Sequence, residues 1–312
     1  MKNKIPLIVI AGSTGIGKSN LAMYLAQKLN TDIISADSRQ IYRDFDIGTA
    51  KPDINEQKLV KHHLIDIVDP QKNFTLAEYN EEAKKVINNL YNEQKIPMLV
   101  GGTGLYIKTL IQGFEVPEVE PDLQLRKELT EKAESEGKQE LYEMAKKIDP
   151  VAMLKIHEND IRRVIRVIEV FKTTGKQFSL LGKKSEESIY DLIYIGLEVE
   201  REKLYQRISD RVEKMIKMGL IDEVKNIIIK YGDELPLLKT INYREIKQYL
   251  DGLISLEEAV ELMKKDTRNF AKQQITWFKH DPYIKFFRAE NAEDLESIKK
   301  YVINQVNEKF LC

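Results

Sequence analysis

Ile5-Pro6-Leu7-Ile8-Val9-Ile10-Ala11 runs directly into Gly12-Ser13-Thr14-Gly15-Ile16-Gly17-Lys18-Ser19, and Asn20 to Leu29 follows with Leu21, Leu25 and Leu29 at helical spacing. The first segment is short, β-branched and apolar, the pattern of a buried parallel strand. The second fits G-x-x-x-x-G-K-[ST] between strand and helix, the context in which that motif carries meaning. Its glycines let successive backbone N–H groups turn around an anion. The helix N-terminus adds partial positive charge and Lys18 a full one. The Ser19 hydroxyl stands where it can hold a magnesium ion bridging two phosphate groups. Gly12 to Ser19 are therefore the expected phosphate-binding residues. The loop does not choose between a nucleoside triphosphate and an alkyl pyrophosphate, since both present adjacent phosphates.

Outward from the loop, 32–36 (DIISA) and 97–100 (PMLV) read as further short strands, the latter closed by Gly101-Gly102. Between them Thr75 to Gln94 reads as a helix, with Thr75 as its cap and Glu78 three residues on. Strands alternating with helices predict an α/β fold: a P-loop core with a parallel sheet flanked by helices. The pattern changes after Gly113. A proline-bearing acidic connector (114–121) leads into helical patterns from Asp122 to about Lys184. Strand character returns at 191–199 (DLIYIGLEV), and from Arg201 onward the chain reads as helical. The expected organisation is a core over 1–115, an all-helical insertion over 116–188, and a return to the core over 189–312.

Composition fits an ordinary globular protein: 312 residues, 42% hydrophobic, 32% charged, formal net charge −1. The apolar run near the N-terminus is too short to span a bilayer, and no leader pattern precedes it, so no membrane partner and a cytoplasmic location are expected. The single cysteine, Cys312, excludes an internal disulfide and a CxxC-type zinc site. Charge is unevenly spread. Lys155 to Lys184 holds eight Lys/Arg against three Asp/Glu, Lys264 to Arg288 seven against two, and Glu115 to Glu143 four against ten. For charge runs alone a solvated helix face is the better account. His62-His63, read as helical neighbours, do not face one site and predict no metal centre. Trp277 and Phe278 read as core packing.

The second strand runs into Ser35-Ala36-Asp37-Ser38-Arg39-Gln40-Ile41-Tyr42 and then Asp46-Ile47-Gly48-Thr49-Ala50-Lys51-Pro52. The third runs into Gly101-Gly102-Thr103-Gly104-Leu105-Tyr106. With the phosphate loop, with His62-His63-Leu64-Ile65-Asp66, with Asn159-Asp160 and Arg162-Arg163, and with Gln274-Ile275-Thr276-Trp277-Phe278, the chain resembles the tRNA dimethylallyltransferase family over nearly its whole length. The resemblance implies transfer of a dimethylallyl group from dimethylallyl pyrophosphate to the exocyclic amine of the adenosine just 3′ of the anticodon of tRNA. Pyrophosphate leaves with help from Mg2+, and the loop holds the alkyl pyrophosphate rather than ATP. A monomer is expected. Three positions depart from the family pattern: Ser13 for the usual proline, Gln273 for a basic residue, and Asn242 for the glycine that usually precedes Tyr243-Arg244.

An adenine amine is a poor nucleophile, and a carboxylate that takes its proton improves it. Asp37 lies past the end of the second strand, where α/β sheets bind ligands. The resemblance makes it the general base, while the residues alone leave a turn-capping role equally open. Lys18 and Arg244 are the expected clamps on the leaving group. Thr103, among glycines that permit close approach, is placed by the resemblance against the target nucleotide, and Ser38, Arg39 and Gln40 adjoin Asp37 as tRNA-binding candidates. Gln40 offers the paired donor and acceptor that can read an adenine edge. In the insertion, Ile161, Val164, Ile165, Ile168 and Phe171 make one helix face, with Arg162, Arg163 and Arg166 on or beside the opposite one. The resemblance assigns the stretch Ile161 to Arg166, together with Arg126, to the anticodon stem. A rival enzyme that prenylates free adenine nucleotides would have little use for such an insertion. The phosphate loop by itself also suits a small-molecule kinase, or a non-catalytic RNA-binding protein that has kept the fold.

Overall fold

The computed structural model describes residues 4–113, 119, 121–181 and 188–310. The connector expected over 114–121 falls mostly outside the described residues, and Cys312 falls outside them. The chain divides into two compact units, residues 1–111 with 188–312, and residues 112–187.

The first unit is built on a six-stranded parallel sheet. Its strands are β1 (Ile5–Ala11), β2 (Ile33–Ala36), β3 (His62–His63), β4 (Met98–Gly101), β5 (Tyr190–Glu198) and β6 (Lys285–Arg288), in the order β3-β2-β4-β1-β5-β6. Alternation along β1 explains why that strand is apolar throughout. Leu7, Val9 and Ala11 join the core on one face of the sheet, and Ile8 and Ile10 join the core on the other. The helix Leu76–Asn92 starts at Thr75 with the reciprocal Thr75–Glu78 capping box that its sequence predicts.

Two expectations need correcting here. His62 and His63 are not helical neighbours but form the edge strand β3, so their side chains point to opposite faces. His63 Nε2 meets Asp32 Oδ2 at 2.9 Å, and no group of three or more metal-ligating side chains occurs among the described residues. The chain after Arg201 is also not wholly helical, because Lys285–Arg288 pairs with the end of β5. No helix among the described residues is long and apolar enough to cross a membrane.

The second unit packs the helices Leu123–Ser135, Lys138–Ile148, Pro150–Met153 and Ile161–Thr174 around a core of its own. Val164 and Ile165 lie inside that core, so their side chains cannot be the tRNA contacts expected of them. Ile161 packs against it, half-buried, and Phe171 is partly exposed. Arg166 is likewise not on a simply solvated face. It pairs with Glu169, whose side chain is fully buried, and Arg126 grips the same carboxylate with Nε at 2.8 Å and Nη2 at 2.9 Å. The Asp122 N–H adds a fourth hydrogen bond. Burial works to raise the Glu169 carboxyl, and the bonds from Arg126, Arg166 and the Asp122 amide overcome it and hold the group below the usual range. Arg162 and Arg163 remain exposed, with Arg163 beside Asp160 at 3.2 Å.

This arrangement assigns Arg126 a structural task. Arg126→Ala removes two of the bonds that compensate a carboxylate with no access to water. The expected loss of stability is on the order of 3 kcal/mol, read as a lower denaturant midpoint at unchanged slope. A midpoint equal to that of the unaltered protein would mean Arg166 alone suffices.

Candidate active site

The carboxyl ends of β1, β2 and β4 open onto a cavity of about 400 Å³, the position at which open parallel sheets take ligands. The phosphate loop forms its floor. Gly15 and Gly17 adopt φ of 77° and 104°, and Gly17 stands at the N-cap of the helix Lys18–Leu29 with no side-chain cap. The first amides of that helix are thereby left without side-chain partners at an end carrying positive dipole charge. Ser13 and Ile16 are buried, Ser13 Oγ without a hydrogen-bond partner among the described residues, while Thr14, Lys18 and Ser19 face the cavity. Lys18 Nζ donates to the Ser13 carbonyl at 2.7 Å, which curls the ammonium over the loop.

Lys18 has a positive neighbour that sequence reasoning missed. Arg211, on the helix Arg201–Lys217, lines the same cavity. Among the described residues neither cation has a carboxylate within ion-pair distance, although Asp37 exerts a longer-range pull on both. Burial first, and then repulsion from Arg211, lower the Lys18 pKa to about 7, with Asp37 acting in the opposite direction. Burial lowers that of Arg211 as well. Two partly buried cations above a nest of backbone amides make a receptor for a multiply charged anion. The signal for Arg211 was present in the chain: Leu204, Ile208 and Met215 mark the buried stripe of its helix, and position 211 falls on that stripe.

Arg244 also lines the cavity, but Glu245 and Asp266 both hold its guanidinium. Its charge is already neutralised, which makes Arg211 the stronger clamp on an anion. Asn242, which departs from the family's usual glycine, has φ 75°, a left-handed conformation that asparagine tolerates better than most residues. Its Nδ2 donates to the Gly48 carbonyl at 2.7 Å and ties that wall of the cavity down. Glu223 holds the same wall by accepting from the amides of Ile47 and Gly48 and from the Tyr243 hydroxyl.

Opposite the phosphate loop, the ends of β2 and β4 carry Asp37 and Thr103. Asp37 Oδ1 accepts from the Arg39 and Gln40 amides at 2.8 and 3.3 Å, so the carboxylate does cap its own turn. Its second oxygen has no hydrogen-bond partner among the described residues, so capping and proton acceptance are compatible. The Thr103 hydroxyl accepts from the Ser38 amide at 3.1 Å, and its own hydrogen remains available to a ligand. Gln40 is less available than its sequence implied. Its amide donates to the carbonyls of Thr49 and Ala50 and accepts from Ser35 Oγ, so it braces the cavity wall. Arg39 is exposed at the rim.

Gln274 connects the two halves. From the helix Leu256–Lys279 it accepts from the Thr14 amide at 2.9 Å and donates to the Gly102 carbonyl at 2.9 Å, with 8% of its surface exposed. The Thr14 N–H is thus already occupied, and the free amides of the loop begin after it. Phe278 is buried as expected. Trp277 is 38% exposed, because its ring lies against Gly104 at the surface of the unit rather than in the core.

A profile of the IPP transferase family matches residues 40–281. The chain is 48% identical over 299 residues to a tRNA dimethylallyltransferase of Gloeothece citriformis, covering 96% of each chain. It is 45% identical to that of Carboxydothermus hydrogenoformans over 301 residues, again 96% of each. Among solved structures it is similar to a full-length tRNA isopentenylpyrophosphate transferase from Bacillus halodurans, with TM-score 0.73, 38% identity and 98% of each chain covered. It is also similar to a eukaryotic dimethylallyltransferase acting on tRNA, with TM-score 0.80, 29% identity, 98% of this chain and 79% of that one.

Proposed function

The chain belongs to the IPP transferase family, and from that premise we propose that it moves a dimethylallyl group from dimethylallyl pyrophosphate to N6 of the adenosine 3′-adjacent to the anticodon in tRNA. The observation that carries this reading is the pairing of an anion receptor, Lys18 with Arg211 and the loop amides, with a carboxylate, Asp37, across one cavity. N6 attacks C1 of the donor, the bond from C1 to the bridging oxygen breaks, and Asp37 takes the proton that N6 loses. Allylic C1 shares developing positive charge with its double bond, so bond breaking can lead and the departing pyrophosphate carries most of the negative charge. Lys18 and Arg211 meet that charge in a site partly closed to water, where such interactions are strongest. Thr103, fixed by the Ser38 amide, can donate to the adenosine and orient it.

Ser19 lines the same cavity and presents a hydroxyl oxygen of the kind that would hold a magnesium ion. That hydroxyl fits the ion, which when bound would offset negative charge on the leaving group. We further propose that the protein acts as a monomer in the cytoplasm.

Incubation with total tRNA and labelled donor, followed by nucleoside mapping, tests the reading. Label at the adenosine 3′ of the anticodon is expected. Efficient prenylation of free AMP would instead assign a nucleotide-modifying activity.

Arg162 and Arg163 are the exposed cations of the helical unit that can follow an RNA backbone. Converting both to Ala should weaken tRNA binding and flatten the log–log salt slope by roughly one unit for each phosphate no longer neutralised. Donor affinity should not change. Arg166 is left in place because it compensates Glu169. Equal slopes for the two proteins would mean that these arginines are merely solvated.

A further inference from the structure

Outside the cavity, three cations gather on one phenol. Arg201 Nε donates to the Tyr205 hydroxyl at 2.7 Å, and its guanidinium carbon lies 5.2 Å from the ring centroid. Arg268 and Lys272, one turn apart on the helix Leu256–Lys279, lie 5.8 and 5.9 Å from the same centroid. Among the described residues none of the three has a carboxylate within ion-pair distance, in contrast to Arg244 and Arg288, which are each held by two. Burial works to raise the Tyr205 phenol, yet the hydrogen bond from Arg201 and the nearby charge of Lys272 leave it below its ordinary value. Like charges converging on one ring repel one another, and an anion between them would relieve that repulsion.

The cluster also has a definite place. Both helices that carry it touch the phosphate loop. A Cβ at Gly15 would meet Ile208 at 3.1 Å and Leu204 at 3.7 Å, Arg207 donates to the Ile16 carbonyl, and Gln274 binds the Thr14 amide. None of Arg201, Tyr205, Arg268 and Lys272 lines the cavity itself.

We propose that Arg201, Arg268 and Lys272, arrayed around Tyr205, form a second phosphate-binding site on the outer side of the phosphate loop. Two sources present that chemistry: a phosphodiester of the bound RNA, a case that rests on the function proposed above, or pyrophosphate on its way out of the cavity. In either case the Tyr205 ring fixes the cations, and the phosphate replaces a carboxylate they lack.

The double variant Arg201→Gln, Arg268→Gln separates the sources. One arm titrates a tRNA transcript across a salt series. The other titrates inorganic pyrophosphate calorimetrically in the absence of RNA, with Lys18→Ala present throughout to weaken the cavity's own anion receptor, so it stands even if the prenylation reading fails. An RNA phosphodiester at the site predicts at least about five-fold weaker tRNA binding and a slope flattened by roughly one unit per phosphate released. An exit site predicts pyrophosphate binding weakened about five-fold with tRNA unaffected. Lys272→Gln, at an exposed position, should show part of the same effect. Arg201→Lys with Arg268→Lys should restore most of it, which a packing defect would not allow. Unchanged affinity in both arms for Lys272→Gln and for a folded double variant overturns the proposal.

Discussion

Lys18→Ala is expected to lower the single-turnover rate of prenyl transfer by at least about two orders of magnitude while tRNA affinity stays close to that of the unaltered protein. The ammonium sits over the phosphate loop, held by the Ser13 carbonyl, and the charge it meets grows as the bond to C1 breaks. Its contribution is therefore larger in the transition state than in the bound donor. Arg211→Ala should behave in the same way, and the two losses should not add, since both act on one leaving group. A change confined to tRNA affinity with normal turnover would contradict the assignment.

The same pair carries a proton-linked signature. With its pKa lowered to about 7, Lys18 has lost much of its proton at pH 8 when no ligand is bound. A bound pyrophosphate group restores it, so binding at pH 8 should take up close to one proton, visible calorimetrically as a dependence on the ionisation heat of the buffer. The folding linkage has the corresponding sign. The unfolded chain holds this proton up to about pH 10.4, and the folded chain releases it near 7. This group's contribution to stability is therefore fully present above the unfolded value and is lost as pH falls through about 7. Equal binding heats in phosphate-free buffers of different ionisation enthalpy would show that Lys18 is charged throughout.

Which parts of this molecule are legible in the chain depends on how locally each is specified. β1, β2, β4 and β5 announce themselves because buried parallel strands are apolar on both faces. β3 and β6 do not. A two-residue His-His strand and Lys285–Arg288 lie at the sheet edges, where one neighbour is missing and polar residues are admitted. The phosphate loop is written in eight consecutive residues, and Asp37 and Thr103 follow strand ends, so topology brings them to one side of the sheet. Arg211 and Gln274 reach the loop from helices far along the chain, Gln274 across 260 residues to Thr14, and although Arg211 falls on the buried stripe of its helix, no local pattern states what that stripe packs against. The arginines of the helical unit mislead for another reason. A helical wheel sees Arg166 opposite the apolar face, but it cannot see that Glu169, one turn on, is fully buried and needs that charge together with Arg126.

Asp37→Asn isolates the proton acceptor from the turn that the same residue builds. Asp37 Oδ1 accepts from the Arg39 and Gln40 amides. An asparagine carbonyl can accept both bonds, so the turn that positions Ser38, Arg39 and Gln40 should survive. What changes is the second oxygen, replaced by an NH2 group that cannot take a proton. Lys18 and Arg211 both feel the Asp37 charge, so its removal also lowers the favourable field at the two cations, an effect that falls on ligand affinity and on the Lys18 proton rather than on proton transfer. The two consequences separate experimentally. If Asp37 accepts the N6 proton, the single-turnover rate falls by roughly 10²–10⁴ with tRNA and donor still bound. Asp37→Ala, which loses the turn as well, should in addition weaken tRNA binding. A near-normal single-turnover rate for the Asn variant would leave Asp37 as a turn-capping residue, and water would then have to carry the proton away.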